Sequence, residues 1–404
     1  MLGIFLLPYP IRGYRAPNLF VYYRFLTSLS EPALFLLSED YLTPPGTWRQ
    51  QVRWEMEENN KSRLGYNVPT LEVMQLHQYR FFDDNLFRTL LACGGENPIE
   101  LFRRLLLERI PQLEERFSMW FDDFAAGEIE AVVTWSNCPS LNAVAQARDI
   151  PVVNLELGPL RWPGYRQTAY LDFSGVNGNT EAEGRYRASS FSFDGSRDQL
   201  RRFFILEEDR PRNLRSDAIG LALQVEDDSN LIAFGNGFDN QSLIAFAHLH
   251  FPAETLLARP HPGSMFDLKN SRLKVDRSPS SIDFIMRCAR IITVNSSVGL
   301  EALMQGVPVT ALGDCSYSYI THAESETEAV SRLAYFLFAY LVPMDLIYNV
   351  DYLRWRLQSP SDTAVVSRHL AEYLGLGVAT ACFDGYAASD SIRKAIGLVA
   401  DLGR

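Results

Sequence analysis

Short apolar runs recur along this chain, with helix-like stretches between them. The runs are Gly3–Leu7, Ala33–Leu37, Glu130–Trp135 and Pro151–Leu155, then Gly220–Val225, Thr255–Ala258, Ile291–Val294 and Val307–Ala311. They lack the polar alternation of a strand with one wet face. Each therefore reads as a strand covered on both sides, as in a parallel sheet. Pro98–Ala126, Asn240–Phe251, Ser280–Arg290 and Val298–Gln305 carry apolar residues at helical spacing. Strand and helix in alternation predict an α/β architecture. The alternation occurs twice, over 1–160 and 216–325, and the chain after 325 reads as mostly helical.

Between the two halves lies Gly175–Arg215, rich in glycine and charge, with Glu208–Arg212 as the end of a linker. The expected organisation is a Rossmann-like N-terminal domain over 1–215, a second over 216–375, and C-terminal helices over 376–404 packing back on the first. A chain of 404 residues has room for this, since domains run to roughly 150 residues each. Ligands in such sheets sit beyond the carboxyl ends of the strands.

The net charge is −11. That argues against a general nucleic-acid binder, which needs clustered basic charge. An anionic ligand must be held by local donors. Met1–Pro8 is apolar but short and reads as a first strand, not a signal peptide. The apolar stretch Leu333–Met344 is shorter than the ~20 residues of a bilayer span and reads as a buried helix. The five cysteines show no CxxC pair, so free thiols are expected and a zinc site is not.

Four constellations could carry chemistry. In Arg259-Pro-His-Pro-Gly263, His261 follows a strand and could bond a phosphate or protonate a leaving group. In Thr293-Val-Asn-Ser-Ser-Val-Gly-Leu-Glu-Ala-Leu303, Ser296 or Ser297 can cap a helix whose start favours a phosphate. Glu301, one turn in, could accept hydrogen bonds from ribose hydroxyls. In Gln224-Val-Glu-Asp-Asp-Ser-Asn230, crowded carboxylates at a strand end should raise at least one pKa, offering a nucleophile or base. Glu156, ending the strand Pro151–Leu155, and Asp172 are further candidate carboxylates. Each constellation also has a bland reading: a loop histidine, a plain capped helix, a solvated acidic turn. His77, His322 and His369 are isolated and read as structural.

The order of motifs is more specific than any one of them. Glu-Leu-Gly-Pro-Leu-Arg, Gly-Val-Asn, Gln-Val-Glu-Asp-Asp-Ser, Arg-Pro-His-Pro and Asn-Ser-Ser-Val-Gly-Leu-Glu-Ala-Leu, over 150–313, resemble the bacterial retaining β-Kdo glycosyltransferases of capsule linkers and O-antigen caps. The capping branch is the nearer in appearance, and the first 150 residues offer no motif. Kdo is an eight-carbon keto-deoxy sugar acid.

The resemblance implies a GT-B-like fold, two Rossmann-like domains facing a central cleft, and CMP-β-Kdo as donor. It implies that His261, Ser296 and Ser297 contact the donor phosphate and that Glu301 holds the ribose. Asn295, Gly299, Gln224 and Arg259 of the same motifs join them as donor-binding residues. An aspartate, Asp228 or alternatively Asp227, would attack the anomeric carbon and form a covalent adduct. Glu156 would then deprotonate the acceptor. No metal or other cofactor is implied, because CMP leaves as an ionised phosphate that fixed donors can stabilise.

Three other readings remain open. One is an inverting, sialyltransferase-like CMP-sugar enzyme, with Asp227 or Asp228 as base. Another is a GT-B epimerase acting on UDP-sugars. The third is a non-catalytic carbohydrate-binding module of a longer polysaccharide-assembly chain. The acceptor would be a saccharide; the expected location is the cytoplasm, at the inner membrane if the acceptor is lipid-linked. Tyr9, Arg12, Tyr14, Arg15, Tyr79 and Arg80 could line a sugar groove, against the plainer expectation that they pack.

Overall fold

The computed structural model describes residues 1–10, 18–42, 66–206, 217–268, 273–376 and 382–401. The chain divides into two compact units, Met1–Leu155 with Ile347–Gln358, and Glu156–Leu346 with Ser359–Arg404. This division falls at Leu155, not at 215, and the segment that returns to the first unit is Ile347–Gln358. Among residues 376–404, the helix Ala388–Asp401 packs on the helices Arg197–Phe204 and Asp362–Tyr373 within the second unit. Arg12, Tyr14, Arg15 and Glu208–Arg212 lie outside the described residues.

The first unit is built on parallel strands β1 (Leu2–Leu6), β2 (Leu34–Ser38), β3 (Gln78–Phe82), β4 (Ala131–Trp135) and β5 (Val152–Leu157). Their order is β5-β4-β1-β2-β3. Ile4 stands level with Phe35 on one side and Val133 on the other. Every residue of β1, β2 and β4 is buried, as expected of strands covered on both faces. β3 escapes the apolar-run criterion because Gln78 and Arg80 interrupt it; it lies at the sheet edge and is only partly buried. Tyr79 and Arg80 serve packing there. The Tyr79 hydroxyl donates to the Met74 carbonyl at 2.8 Å, and Arg80 pairs with Asp123 at 2.7 Å. Tyr9 stacks edge-on against Phe102.

The single helix expected over Pro98–Ala126 is two helices, Pro98–Leu107 and Pro111–Phe121. Pro111 has no N–H to donate and its ring clashes with the preceding turn, so it begins a helix and cannot continue one. The returning segment is fixed by Arg354, which pairs with Glu31 and Glu130 at 2.9 Å each, and by Tyr348 against Phe25.

The second unit contains an antiparallel pair, β6 (Thr168–Asp172) and β12 (Val342–Pro343). Its main sheet is wholly parallel. The strands are β7 (Ala218–Ala222), β8 (Leu256–Arg259), β9 (Lys274–Val275), β10 (Cys288–Thr293) and β11 (Val309–Ala311), in the order β11-β10-β7-β8-β9. From β7 the chain moves outward to β8 and β9, then crosses back to β10 on the other side. The order therefore reverses between β7 and β10, and their carboxyl ends frame the crevice where such sheets bind ligands.

Leu333–Met344 lies in the helix Glu326–Tyr335, a following wide helical turn over Phe336–Tyr340 and the strand β12, buried throughout. Among the described residues, no helix is long and apolar enough to cross a membrane. The described cysteines are all free.

Candidate functional site

The residues singled out by the motifs all lie in the second unit, and three of its loops carry them. Asp228 follows β7, His261 follows β8, and Ser296, Ser297 and Glu301 follow β10. Glu156 lies at the carboxyl end of β5, where the second unit begins.

The crevice is first of all a rigid frame. Gln224 and Asn295, just past the carboxyl ends of β7 and β10, exchange two hydrogen bonds. The Gln224 Nε2 donates to Asn295 Oδ1 at 2.9 Å, and the Asn295 amide donates to Gln224 Oε1 at 3.1 Å. The Asn295 Nδ2 also donates to the carbonyls of Asn230 and Phe234. Both residues are buried, and these bonds commit their side chains to the scaffold. Gly299 is a packing residue: a Cβ there would stand 2.3 Å from the Tyr317 hydroxyl, which donates to the Ser296 carbonyl. Arg259 pairs with the buried Asp276 at 2.6 Å. Of the eight donor-binding residues expected, these four build the crevice.

The helix Ser297–Met304 begins with Ser296 as its N-cap, the Ser296 Oγ accepting from the Val298 N–H at 3.3 Å. The Gly299 N–H turns back to the Ser296 carbonyl. Among the described residues, Ser297 keeps its amide and hydroxyl unpaired, at the positive end of the helix dipole. Glu301 is buried and, among the described residues, accepts on one oxygen only. Its Oε2 receives the Ser281 hydroxyl at 2.6 Å and the Tyr165 hydroxyl at 2.8 Å. Burial raises its pKa, while those two hydroxyls pull it down.

Asp228 caps the helix Ser229–Phe234 and accepts the Asn230 amide on Oδ1 at 2.8 Å. Glu156 accepts the amide of Leu157 on Oε1 at 2.9 Å. Each carboxylate thus anchors one oxygen on backbone, and among the described residues the other has no hydrogen-bond partner. Burial pushes Glu156 up to about 7; Asp228 adds to the rise, while Arg161 and the Leu157 amide oppose it. Burial also raises Asp228, with Asp227 adding to it and Arg161 and His261 opposing. Asp228, and not Asp227, is the N-cap of the helix Ser229–Phe234.

The His261 Nδ1 accepts the Gly263 amide at 3.0 Å, which puts the proton of the neutral ring on Nε2. His261 is exposed at the surface, and partial desolvation of its ring lowers its pKa from the ordinary histidine value, against the pull of Asp228 and Glu226. His261 is therefore a neutral Nε2–H donor beside Asp228.

Asp172 is not part of this group. It is fully buried and accepts the amides of Ser174, Gly175 and Glu181 and the Tyr340 hydroxyl, which makes it a loop anchor. His77 and His369 are buried and bond to backbone at Ala33 and Phe338, as isolated structural histidines should. Arg161 and Tyr165 were not singled out by sequence. Tyr165 reaches Glu301, and the Arg161 charge acts on Glu156, Asp228, His261 and Glu301. The signal for Arg161 was its place at the end of Glu-Leu-Gly-Pro-Leu-Arg; Tyr165 had none.

Residues 4–181 match the family model described as glycosyltransferase 99 family N-terminal domain, and residues 210–329 the one described as capsule polysaccharide biosynthesis protein. The chain is thus similar, over two separate segments, to a glycosyltransferase family and to a capsule polysaccharide biosynthesis family. The first match reaches well into the 150 residues that offer no motif by eye.

More particularly, the chain is similar to the beta Kdo 2,4 transferase of Thermosulfurimonas dismutans KpsC, at 18% identity over 52% of this chain and 80% of that one, with a TM-score of 0.38. It is similar to the beta Kdo 2,7 transferase of the same KpsC at 16% identity over 85% and 96%, with a TM-score of 0.37. The UDP-GlcNAc 2-epimerase of Methanocaldococcus jannaschii is similar at 11% identity over 89% and 99%, with a TM-score of 0.33. No curated protein sequence matches the chain.

Proposed function

We propose that this chain is a retaining β-Kdo transferase that moves Kdo from CMP-β-Kdo to a hydroxyl of a bacterial surface polysaccharide, as an O-antigen cap or capsule linker. The observation that carries the reading is the pair Asp228 and Glu156, two carboxylates of one crevice that each keep one oxygen unanchored. Support comes from the ordered motifs over 150–313 and from the glycosyltransferase and capsule-synthesis matches.

In the first displacement the unanchored oxygen of Asp228 attacks the anomeric carbon. The bond from that carbon to the CMP phosphate oxygen breaks, and its electron pair leaves with CMP. The His261 Nε2–H and the Ser297 amide and hydroxyl receive the phosphate charge, while Glu301 holds the ribose on its remaining oxygen. In the second displacement Glu156 takes the proton of the acceptor hydroxyl. The acceptor oxygen bonds the anomeric carbon on the original face, and the bond to Asp228 breaks. A carboxyl poised near 7 is suited to that proton transfer at neutral pH.

No divalent cation enters this scheme, and transfer should survive EDTA. The protein would work in the cytoplasm, at the inner membrane when the acceptor is lipid-linked. The test is NMR of the product formed from CMP-β-Kdo and a saccharide acceptor. A β-linked Kdo supports the reading; an α-linked product overturns retention and favours the inverting, sialyltransferase-like alternative.

A further inference from the structure

The crevice described above collects negative charge. Asp228 acts electrostatically on Glu156, Asp227 acts on Asp228, and Glu301 lies on the helix after β10; on the proposed function these carboxylates share the crevice with a sugar nucleotide phosphate. An acidic donor sugar adds one more anion, so a cation is required nearby. His261 does not supply it: its Nδ1 is taken by Gly263 and partial desolvation favours the neutral ring. Arg259 is close enough to act on His261 and Glu301, but its guanidinium is paired with buried Asp276 and with the Ser278 carbonyl.

Arg161 remains. Its Nε donates to the Gly158 carbonyl at 3.2 Å, and among the described residues its two terminal nitrogens have no hydrogen-bond or ion-pair partner. The residue is exposed, yet its charge reaches Glu156, Asp228, His261, Glu301 and Tyr170.

The loop that carries Arg161 is rigid. The Gly158 amide donates to the Thr168 carbonyl at 3.0 Å, and a Cβ on Gly158 would stand 2.3 Å from the Thr168 hydroxyl, so only glycine permits this approach. The Thr168 amide returns to the Leu160 carbonyl at 3.0 Å. The Tyr165 amide donates to the Arg161 carbonyl at 3.1 Å, while the Tyr165 hydroxyl fastens the loop to Glu301. A guanidinium held at Nε on a fixed loop presents its two outer nitrogens side by side, the fork that matches a carboxylate.

We propose that Arg161 binds the carboxylate of the donor sugar, making it the residue that selects an acidic sugar. This deepens the Kdo reading and rests on it for the identity of the sugar. In Kdo the carboxylate carbon is bonded to the anomeric carbon. A clamp on that group beside Asp228 therefore orients the carbon that Asp228 attacks, and its positive charge keeps Asp228 and Glu156 more readily ionised.

The test is steady-state kinetics of Arg161→Gln and Arg161→Lys, with the inhibition constant of CMP as the control for nucleotide binding and for folding. Loss of charge-assisted bonds to a carboxylate should raise the KM for CMP-Kdo by roughly 10- to 100-fold in Arg161→Gln. The CMP constant should stay within about twofold, a change worth only a few tenths of a kcal/mol. Arg161→Lys should recover part of the loss, and the acid limb of kcat/KM should move to higher pH in Arg161→Gln. An unchanged KM for CMP-Kdo, or KM and the CMP constant rising together in both variants, overturns the clamp. The two readings can fail separately. Wild-type turnover of CMP-sialic acid in place of CMP-Kdo, with the same Arg161 dependence, keeps the clamp and removes Kdo. CMP-Kdo turnover indifferent to Arg161 removes the clamp and keeps Kdo.

Discussion

The Tyr165 hydroxyl donates to Oε2 of Glu301 at 2.8 Å, joining residues 136 positions apart in sequence. The bond fastens the loop bearing Arg161 to the helix that follows β10, so the proposed nucleotide side and the proposed carboxylate clamp share one anchor. Tyr165→Phe keeps the ring and removes the bond. Stability should fall by about 1–3 kcal/mol, the range for a hydrogen bond to a charged acceptor. CMP affinity should fall with it, because Glu301 loses one of the two hydroxyls that hold it in place. Denaturant unfolding and CMP titration check both.

Asp228 has two duties that one substitution separates. As an N-cap, asparagine serves about as well as aspartate. Asp228→Asn should therefore unfold within about 0.5 kcal/mol of the wild type while transfer is nearly abolished. Asp228→Ala should add a loss of roughly 1 kcal/mol of stability. Asp227→Asn should keep most activity. Urea unfolding beside an activity assay distinguishes these outcomes.

The pH dependence follows from Glu156. A base must be deprotonated, so the rate of transfer to acceptor should rise with pH through about 7. Stability should move the other way. The folded pKa lies above the ordinary carboxylate value of 4.5, so the folded chain holds this proton more tightly. That contribution is full below 4.5 and is lost as pH rises through about 7. Glu156→Gln should flatten that part of the stability curve between about pH 5 and about pH 8. A pH–rate profile and unfolding at both pH values read the two effects. Glu156→Ala should also impair transfer to acceptor more than adduct formation.

His261 and Gly299 should fail differently. His261→Ala removes the proposed phosphate donor from a loop and should weaken CMP binding and nearly abolish transfer, with stability little changed. Gly299→Ala forces a Cβ against the Tyr317 hydroxyl and should destabilise by about 1–3 kcal/mol, in the range for overpacking. Thermal unfolding separates the two variants.

Much of this was legible in the sequence, and for a physical reason. Strands covered by other elements read as apolar runs, so eight of the described strands announce themselves, while β6, fully buried but bounded by Thr168 and Asp172, does not. Strand β3 hid because Arg80 at the sheet edge pairs with Asp123 and breaks the run. Pro111 divided a helix that periodicity alone had joined. In the second unit, Asp228 acts electrostatically on Glu156 and His261, and Ser297 and Glu301 lie on the helix that follows β10. Gln224, Asn295, Gly299 and Arg259 came from the same motifs but hold the frame, because a motif does not reveal whether a polar side chain turns toward a ligand or toward its neighbours. Asp172 was equally ambiguous until its amide partners were visible. Arg161 and Tyr165 act through contacts from a loop distant in sequence, which spacing could not disclose.

The central claim is that Asp228 carries the sugar. The most direct measurement is the intact mass of the protein after incubation with fresh CMP-Kdo and no acceptor, beside Asp228→Asn and Asp227→Asn. The account predicts a gain of one Kdo residue in the wild type and in Asp227→Asn, and none in Asp228→Asn. An adduct that persists in Asp228→Asn, or a wild type that stays unmodified while transferring Kdo to acceptor, would contradict it.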